Sequence, residues 1–544
     1  MERKAELKKE SGGQEDVSTL RNMSGLEIKP LYGPEDVQKM NADQDIGRPG
    51  EYPYVRGVYP LMYRKRLWTM RQLGSLGPPD QANERIRQLV DMGATGVSIC
   101  LDMPTIMGRD SDDPLAEGEV GRCGGVAIDT LDDMRFLLQG IDLEKISINF
   151  VSNSQSPVVL ALFCALAEER GVPLSKLRGT MQNDILKEYQ AQKSYYFPPA
   201  PSLRLTMDTI SFCHQHLPMF NPISISGYHL ASAGATPLQE LAFTLANALT
   251  YVREGVKTGM EVDDFAPRLS FFFKAHNDLF ENVAKFRAAR RIWARSMKET
   301  FKARNPASWR FRVHTQTSGS SLTIEQMENN IVRTTIQALS AIMAGTQSLH
   351  TNSFDEALSI PTPFSERIAL RTQQIIAYES GAASTIDPLA GSYYVEALTN
   401  EMESEALKII QDIEDQGGVV ACIENGFFQR KIAESAFAYQ QAVQGGERIV
   451  VGLNAFTEGE GGKIELREAD PEFEESKVEA LREYKAKRDQ AELEEKRKAL
   501  SHVCQTGENV MPALLSGIKA GMTMGEAVQH MRDVFGSYQE KAIF

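Results

Sequence analysis

Short apolar or β-branched runs recur through the middle of the chain, beginning near Val97 (VSICLD), Ile146 (ISINFVS), Leu177 (LRGTMQ), Ile223 (ISISGY), Leu269 (LSFFFKA), Phe311 (FRVHTQT) and Ser348 (SLHTN). Between them lie stretches such as TPLQELAFTLANALTYVREGV and MENNIVRTTIQALSAIMAG, whose apolar spacing suits helices packed against a sheet. Seven strand-then-helix units, with a weak eighth run near Ser384, predict an α/β fold built on a parallel (β/α)8 barrel of the TIM type. The polar residues then share a location. Asp102, Asn153, Gln182, His229, Gln316 and Asn352 fall at or just after the C-terminal ends of these runs, where barrel enzymes build their sites. An open doubly wound sheet usually carries a glycine-rich phosphate turn after an early strand, and none is present. The cluster EGEGGKI at 458–464 lacks the Walker spacing and reads as an exposed turn.

The flanks differ from this core. LYGPEDV, GRPGEYPYV and GPPDQ break residues 1–80 into an extended N-terminal arm, residues 81–400 form the barrel, and helices predominate over 401–544. Within that last region EESKVEALREYKAKRDQAELEEKRKAL has too sparse an apolar seam for a coiled coil and reads as a solvated connector. The final segment, ENVMPALLSGIKAGMTMGEAVQHMRDVFG, is more amphipathic and suited to docking on a core or a partner.

A net charge of -14 and a pI near 5.3 argue against nucleic-acid binding as the main function. Arg56, Arg64, Lys65, Arg66 and Arg71 are the local exception, a cationic stretch with no acid in it. The six dispersed cysteines form no CxxC pair and read as reduced thiols of a cytoplasmic protein. No secretory signal or membrane-spanning run is evident. His214 and His216 in CHQH lack a second ligand group at zinc spacing, so no metal site is expected. Neither G-x-S-x-G nor HExxH occurs, which disfavours simple hydrolysis. Taken alone, His229 reads as a hydrogen-bonded barrel histidine and Gln182 as a satisfied strand-end amide.

Several ordered runs change that reading. YPLMYRKRLWTMRQL at 59–73, LDMPTIMGRDSDDP at 101–114, GTMQNDILKE, SISGYH at 224–229, FAPRLSFF at 265–272, HTQTSGSSLT at 314–323 and GTQSLHTNSFDEAL at 345–358 resemble the large, substrate-binding portion of methylmalonyl-CoA and isobutyryl-CoA mutases. The resemblance covers roughly residues 45–460, with a weaker helical match to the end. It implies adenosylcobalamin as cofactor: cobalt–carbon homolysis yields a radical that removes hydrogen from the substrate, and the thioester group migrates to the neighbouring carbon. The protein then has to hold the thioester and exclude water, which a long channel through a barrel would do.

By the same resemblance His229 bonds the migrating thioester carbonyl, Tyr228 flanks the radical path and Gln182 orients the acyl group. Asn352 and Glu356 match positions that bind the adenosyl ribose, and Gln316 matches a position lining the same cavity. Tyr59, Arg66, Thr69, Arg71, Ser98, Arg268 and Ser270 match positions that meet CoA, where guanidinium groups suit phosphate oxygens. The bland alternative for the cations is pairing with the protein's own acids.

Four departures from the methylmalonyl pattern bear on substrate: Gln192 replaces a carboxylate-binding arginine, Leu73 an aromatic beside the acyl group, Ile106 a histidine, and Ser320 a tryptophan. A neutral amide at 192 argues against a dicarboxylic acyl group, and Leu73 makes room for branching. Relatives acting on 2-hydroxyisobutyryl-CoA pair an aliphatic residue there with an aspartate near the hydroxyl, and the matching position is Cys100, a weak hydrogen-bonding group. Isobutyryl-CoA to butyryl-CoA is therefore the first expectation. Pivalyl-CoA or isovaleryl-CoA follows, then 2-hydroxyisobutyryl-CoA, with methylmalonyl-CoA last. The Asp-x-His-x-x-Gly motif of the family's cobalamin-binding domain is not found, so the expected partner is a separate small cobalamin-binding subunit, in a heterotetramer of two large and two small chains. A catalytically inactive acyl-CoA-binding subunit is the non-enzymatic alternative.

Overall fold

In the computed structural model, which describes residues 20–73, 77–122, 125–358, 361–458 and 471–540, alternation along the strands decides the architecture. Val97, Ile99, Ile148 and Phe150 bury their side chains under the surrounding helices, while their neighbours turn to the opposite face. The strands are β1 (Thr69–Leu73), β2 (Gly96–Cys100), β3 (Ser147–Val151), β4 (Gly179–Met181), β5 (Phe220–Asn221), β6 (Ile223–Ser226), β7 (Leu269–Ala275), β8 (Val313–Thr317) and β9 (Ser348–His350). They form one parallel sheet in the order β5-β4-β3-β2-β1-β9-β8-β7-β6. Its two ends are consecutive in sequence. β5 and β6 are halves of a single barrel strand divided at Pro222, which has no N–H for a ladder. Ser224 N–H donates to Gln182 O at 2.8 Å and the Asn183 amide donates to Pro222 O at 3.1 Å, completing the ring.

The expected barrel is present, with one strand misassigned. Residues near Ser384 form turns, and the eighth strand is β1, inside the stretch assigned to the arm. Its sequence TMRQL hides the signal because Thr69 and Arg71 face the interior of the barrel and Met70 packs in the apolar layer outside it.

Helices cover the ring in the usual way. Pro237–Lys257 begins with Pro237 after a capping box, in which the Thr236 hydroxyl accepts from Gln239 N–H and the Gln239 side chain returns to Thr236 N–H. The helix Ser156–Glu169 is apolar nearly all round because helices from the C-terminal region cover its outer side, sharing a core with Leu493, Leu500, Leu514 and Met531. The charged stretch read as a solvated connector forms helices Pro471–Lys487 and Gln490–Thr506 that are held to the barrel. Lys477 lies between Asp129, at 3.0 Å, and Asp133, while Lys485 reaches Asp110 at 2.9 Å and Asp112 at 2.7 Å. Leu493 and Leu500 supply the sparse apolar seam. The first nineteen residues and nearly all of EGEGGKI lie outside the described residues. Among those described, no helix is long and apolar enough to cross a membrane, no metal-ligating cluster forms, and His214 and His216 are exposed at the end of the helix Pro199–His216.

Candidate active site

TIM barrels ordinarily fill their interior with layers of Val, Ile and Leu. Here many inward positions are small and polar, among them Ser98, Ser147, Asn149, Thr180, Ser270 and Ser348. Several tie to the wall, Ser270 Oγ donating to Ile223 O at 2.8 Å and the Asn149 amide donating to Ser98 Oγ at 3.2 Å. Too little volume remains to close the centre, and a cavity of about 610 Å³ runs through it. The same cavity touches Tyr59 and Arg66 at one end and Gln182 at the other.

The end at the strand N-termini is cationic. Lys65 and Arg66 are exposed, and neither joins an ion pair among the described residues, so pairing with the protein's own acids does not account for them. Arg310 lies over the Tyr59 ring at 5.8 Å. Burial lowers the pKa of Arg268, which stands beside Tyr59. Burial, and then the Arg268 and Arg310 charges, push Arg312 down to about 10. Arg71 is different: its guanidinium donates to Val97 O at 3.0 Å, Ser147 O at 3.2 Å and Ser147 Oγ at 2.7 Å. It braces β1 to β2 and β3 while bordering the cavity. Gly96 permits this crossing, since a Cβ there would lie 3.1 Å from both Arg71 Nη1 and Ser147 O.

At the strand C-termini the polar groups are partnered, with Gln182 and Asn352 buried and Tyr228, His229, Gln316 and Glu356 half-buried. Asn183, in the left-handed region at φ 49°, turns the chain directly after Gln182. The Gln182 oxygen accepts from the Asn153 amide at 2.9 Å. Gly227 presses the backbone on the helix Pro237–Lys257, where a Cβ would come 2.4 Å from Thr244 Oγ1, and the short helix Tyr228–Ser232 follows. His229 Nδ1 shares a 2.7 Å hydrogen bond with Ser226 Oγ, and Ser226 N–H donates to Asp184 at 2.7 Å. Burial, then the Lys187 charge, holds His229 well below its usual pKa, so the ring is neutral. Tyr228 stacks on Phe272 at 4.8 Å and accepts from the Gln316 amide at 3.1 Å.

Asn352 donates to Glu356, whose other oxygen accepts from Ser353 N–H at 2.7 Å. Thr317 Oγ1 donates to the Asn352 oxygen at 2.6 Å, which fixes the amide orientation. Burial raises the Glu356 carboxyl to about 7 against these hydrogen bonds. Burial, then Glu356, pushes the Cys100 thiol up to about 12, and burial, then Glu356, also raises the Tyr228 hydroxyl. Leu73 ends β1 in register with Ser98. Gln192 is exposed, yet its oxygen accepts from Lys187, a fully buried ammonium paired with Glu188 at 2.7 Å. Asp102 has another duty: it caps the helix Met103–Ile106 through Thr105 N–H at 3.0 Å and holds Gly121 N–H at 2.8 Å.

Sequence reasoning picked out Ser98 and Ser270 but missed Ser147, Asn149, Thr180, Ser348, Arg310, Arg312, Lys187 and Lys274. The lining was signalled by strict polar alternation in SINFV and ISIS. Lys274 Nζ donates to Ser320 Oγ at 2.5 Å, and burial pushes its pKa down to about 8.

The sequence model of the methylmalonyl-CoA mutase family matches residues 21–537. The chain is 52% identical over 505 residues to the 2-hydroxyisobutanoyl-CoA mutase large subunit of Aquincola tertiaricarbonis, covering 92% of this chain and 89% of that one. It is 42% identical over 515 residues to the methylmalonyl-CoA mutase of Escherichia coli, covering 94% and 72% of the two chains. Against the human mitochondrial methylmalonyl-CoA mutase the identity is 42% over 517 residues, covering 95% and 68%. With a match across nearly its whole length and a hollow barrel to accompany it, the chain belongs to the methylmalonyl-CoA mutase family, whose members are adenosylcobalamin-dependent acyl-CoA mutases.

Proposed function

We propose that this chain is the large subunit of a mutase that shifts the thioester group between neighbouring carbons of a short, branched, uncharged acyl-CoA, with isobutyryl-CoA to butyryl-CoA the preferred reaction. The observation that carries this is a cavity that runs from a cationic rim at Lys65 and Arg66 through the barrel to the neutral amide of Gln182. CoA phosphates would meet Arg66 and Arg268 beside Tyr59, and the pantetheine arm would run past Thr69, Arg71, Ser98 and Ser270. Amide and hydroxyl walls suit the amides of that arm, and a narrow channel sheds its water. At the far end Gln182, held by Asn153, orients the acyl group. Neutral His229 presents its second nitrogen to the thioester carbonyl and Tyr228 shields the migrating carbon.

The residues present also fit the family's cofactor. A half-buried carboxyl at Glu356 and a fixed amide at Asn352 offer an acceptor and a donor side by side, the pair that sugar hydroxyls require, with Gln316 nearby. Adenosylcobalamin, when bound, supplies the radical chemistry of the rearrangement. The cobalt-binding part would come from a separate small subunit, in a complex of two large and two small chains. The relative's name as a large subunit supports such a partner.

Leu73 and Cys100 favour a purely aliphatic branch. No carboxylate stands at 100 to receive a hydroxyl, and a thiol raised to about 12 is a neutral, weak partner. A second reading, 2-hydroxyisobutyryl-CoA, is favoured by the relative with that specificity. The test mixes the chain with its small subunit and adenosylcobalamin and assays isobutyryl-CoA, pivalyl-CoA, isovaleryl-CoA, 2-hydroxyisobutyryl-CoA and methylmalonyl-CoA. Highest kcat/KM on isobutyryl-CoA supports the first reading, and highest on the hydroxyacyl substrate supports the second. Binding without turnover of any leaves an acyl-CoA-binding subunit.

A further inference from the structure

Lys274 points into the barrel from the C-terminal half of β7 and is 3% exposed. Among the described residues no carboxylate pairs with its ammonium. The nearby Glu240 is engaged elsewhere, one oxygen accepting from the Lys274 backbone N–H at 2.7 Å and the other from the Lys285 ammonium at 2.5 Å. The Lys274 ammonium instead donates to Ser320 Oγ at 2.5 Å and Ala231 O at 3.2 Å. Burying a cation without a counterion is unfavourable, so a position that keeps one needs a reason.

The two acceptors supply it. Ala231 belongs to the helix Tyr228–Ser232, which carries Tyr228 and His229. Ser320 belongs to the turn Gly319–Ser321 after β8. Gly319 in that turn lies so near the site that a Cβ would stand 3.4 Å from Tyr228 Oη and 3.5 Å from Asn352 Nδ2. Lys274 is also the register partner of Gln316, whose amide holds Tyr228 Oη. Both acceptors of the ammonium therefore belong to segments that border the gap between Tyr228 and Asn352.

We propose that Lys274 is a positioning residue for rearrangement: its ammonium ties the Ser320 turn to the helix bearing Tyr228 and His229, and so sets the width of the gap between Tyr228 and Asn352. Ser320, where the family pattern has tryptophan, puts a hydroxyl within reach of the lysine. Its hydroxyl gives the lysine an acceptor that an indole ring would lack. Charge matters because an ammonium donates more strongly than a neutral group to a hydroxyl and a carbonyl at once.

The inference rests on the mutase reading above, and the experiment separates the two. Wild type, Lys274→Met, Lys274→Arg, Ser320→Ala and the Lys274→Met/Ser320→Ala double variant are reconstituted with the small subunit and adenosylcobalamin. For each, kcat, KM and Tm are measured. Lys274→Met is expected to lower kcat about tenfold while KM for acyl-CoA stays within about twofold, because the CoA grip lies at the other mouth. Lys274→Arg should recover most of kcat, and the double variant should be no worse than Lys274→Met alone, the mark of one shared interaction. Unchanged kcat in Lys274→Met, additive losses in the double variant, or a fall in Tm that Lys274→Arg does not repair with kcat would overturn the positioning role alone. Wild type without turnover on any acyl-CoA overturns the mutase reading and this proposal with it.

Discussion

The two mouths of the barrel are built from opposite materials. At the strand N-termini Lys65 and Arg66 stand in water without carboxylate partners among the described residues, and Arg268, Arg310 and Arg312 crowd one aromatic ring. At the strand C-termini His229, Gln182 and Asn352 each have a fixed hydrogen-bond partner, and burial keeps the histidine neutral. Unpaired surface cations attract an anion over about a Debye length and lose strength as salt rises. Groups already oriented in a dry pocket need no rearrangement as charge shifts on a substrate, and salt hardly reaches them. One mouth is suited to capture and the other to chemistry. The polar cavity extends from the cationic mouth to Gln182.

Breaking the chemical mouth should have the largest effect. His229→Ala is expected to lower kcat by about 10²–10³-fold, the range for losing a preorganised donor to a reacting carbonyl, with KM for acyl-CoA nearly unchanged. Steady-state assays of the reconstituted enzyme check both values. An equal rise in KM would show that His229 serves capture, erasing the division. Changing the acyl end comes next. Leu73→Tyr with Gln192→Arg should shift the ratio of kcat/KM values toward methylmalonyl-CoA by about 10–100-fold, because an arginine there can meet a carboxylate. Gln192 now rests on Lys187, so a guanidinium would face an existing cation. The pair Lys187–Glu188 makes the expected shift depend on Glu188, and adding Glu188→Gln should reverse much of it.

Damage to the capture mouth should appear in KM. Arg66→Ala is expected to raise KM for acyl-CoA about tenfold, the lower end for one lost charge-assisted bond at an exposed site, with kcat within about twofold. Raising ionic strength should weaken wild-type binding in the same direction and leave the kcat defect of His229→Ala unaltered. Insensitivity of KM to salt would count against phosphate capture at this rim.

The barrel was legible because seven strands alternate with amphipathic helices, and each side chain singled out near a strand C-terminus had a strand signal before it. β1 was not, because Thr69 and Arg71 line a polar channel and break the apolar run that marks a strand. The same inversion hid the lining itself: Ser147 and Asn149 look like poor strand residues until the interior is known to be hollow. The charged C-terminal stretch misled for a related reason. Its lysines face aspartates far away in sequence, and Lys477 with Asp129 and Asp133 is a tertiary contact that no local pattern contains. Lys274 and Lys187 were missed because a buried lysine on a strand or helix is distinguishable from a surface one only by its neighbours.

The smallest expected effect tests whether the chemical mouth is as insulated as its hydrogen bonds suggest. Glu356 ionises near 4.5 in the unfolded chain and at about 7 in the folded one, chiefly through burial. Between those values the unfolded state has released a proton that the folded state keeps, so stability falls as pH rises and levels off above about 7. Glu356→Gln should therefore raise Tm by a few degrees at pH 8 and leave it nearly unchanged at pH 4. Binding moves the opposite way, since only the carboxylate accepts from two sugar hydroxyls. Adenosine affinity measured by calorimetry should rise about threefold from pH 6.5 to 7.5, following the ionised fraction of a group titrating near 7, and Glu356→Gln should flatten that rise. A flat wild-type profile alongside the expected Tm difference would mean that Glu356 is a buried acid of the fold and that the ribose is held elsewhere.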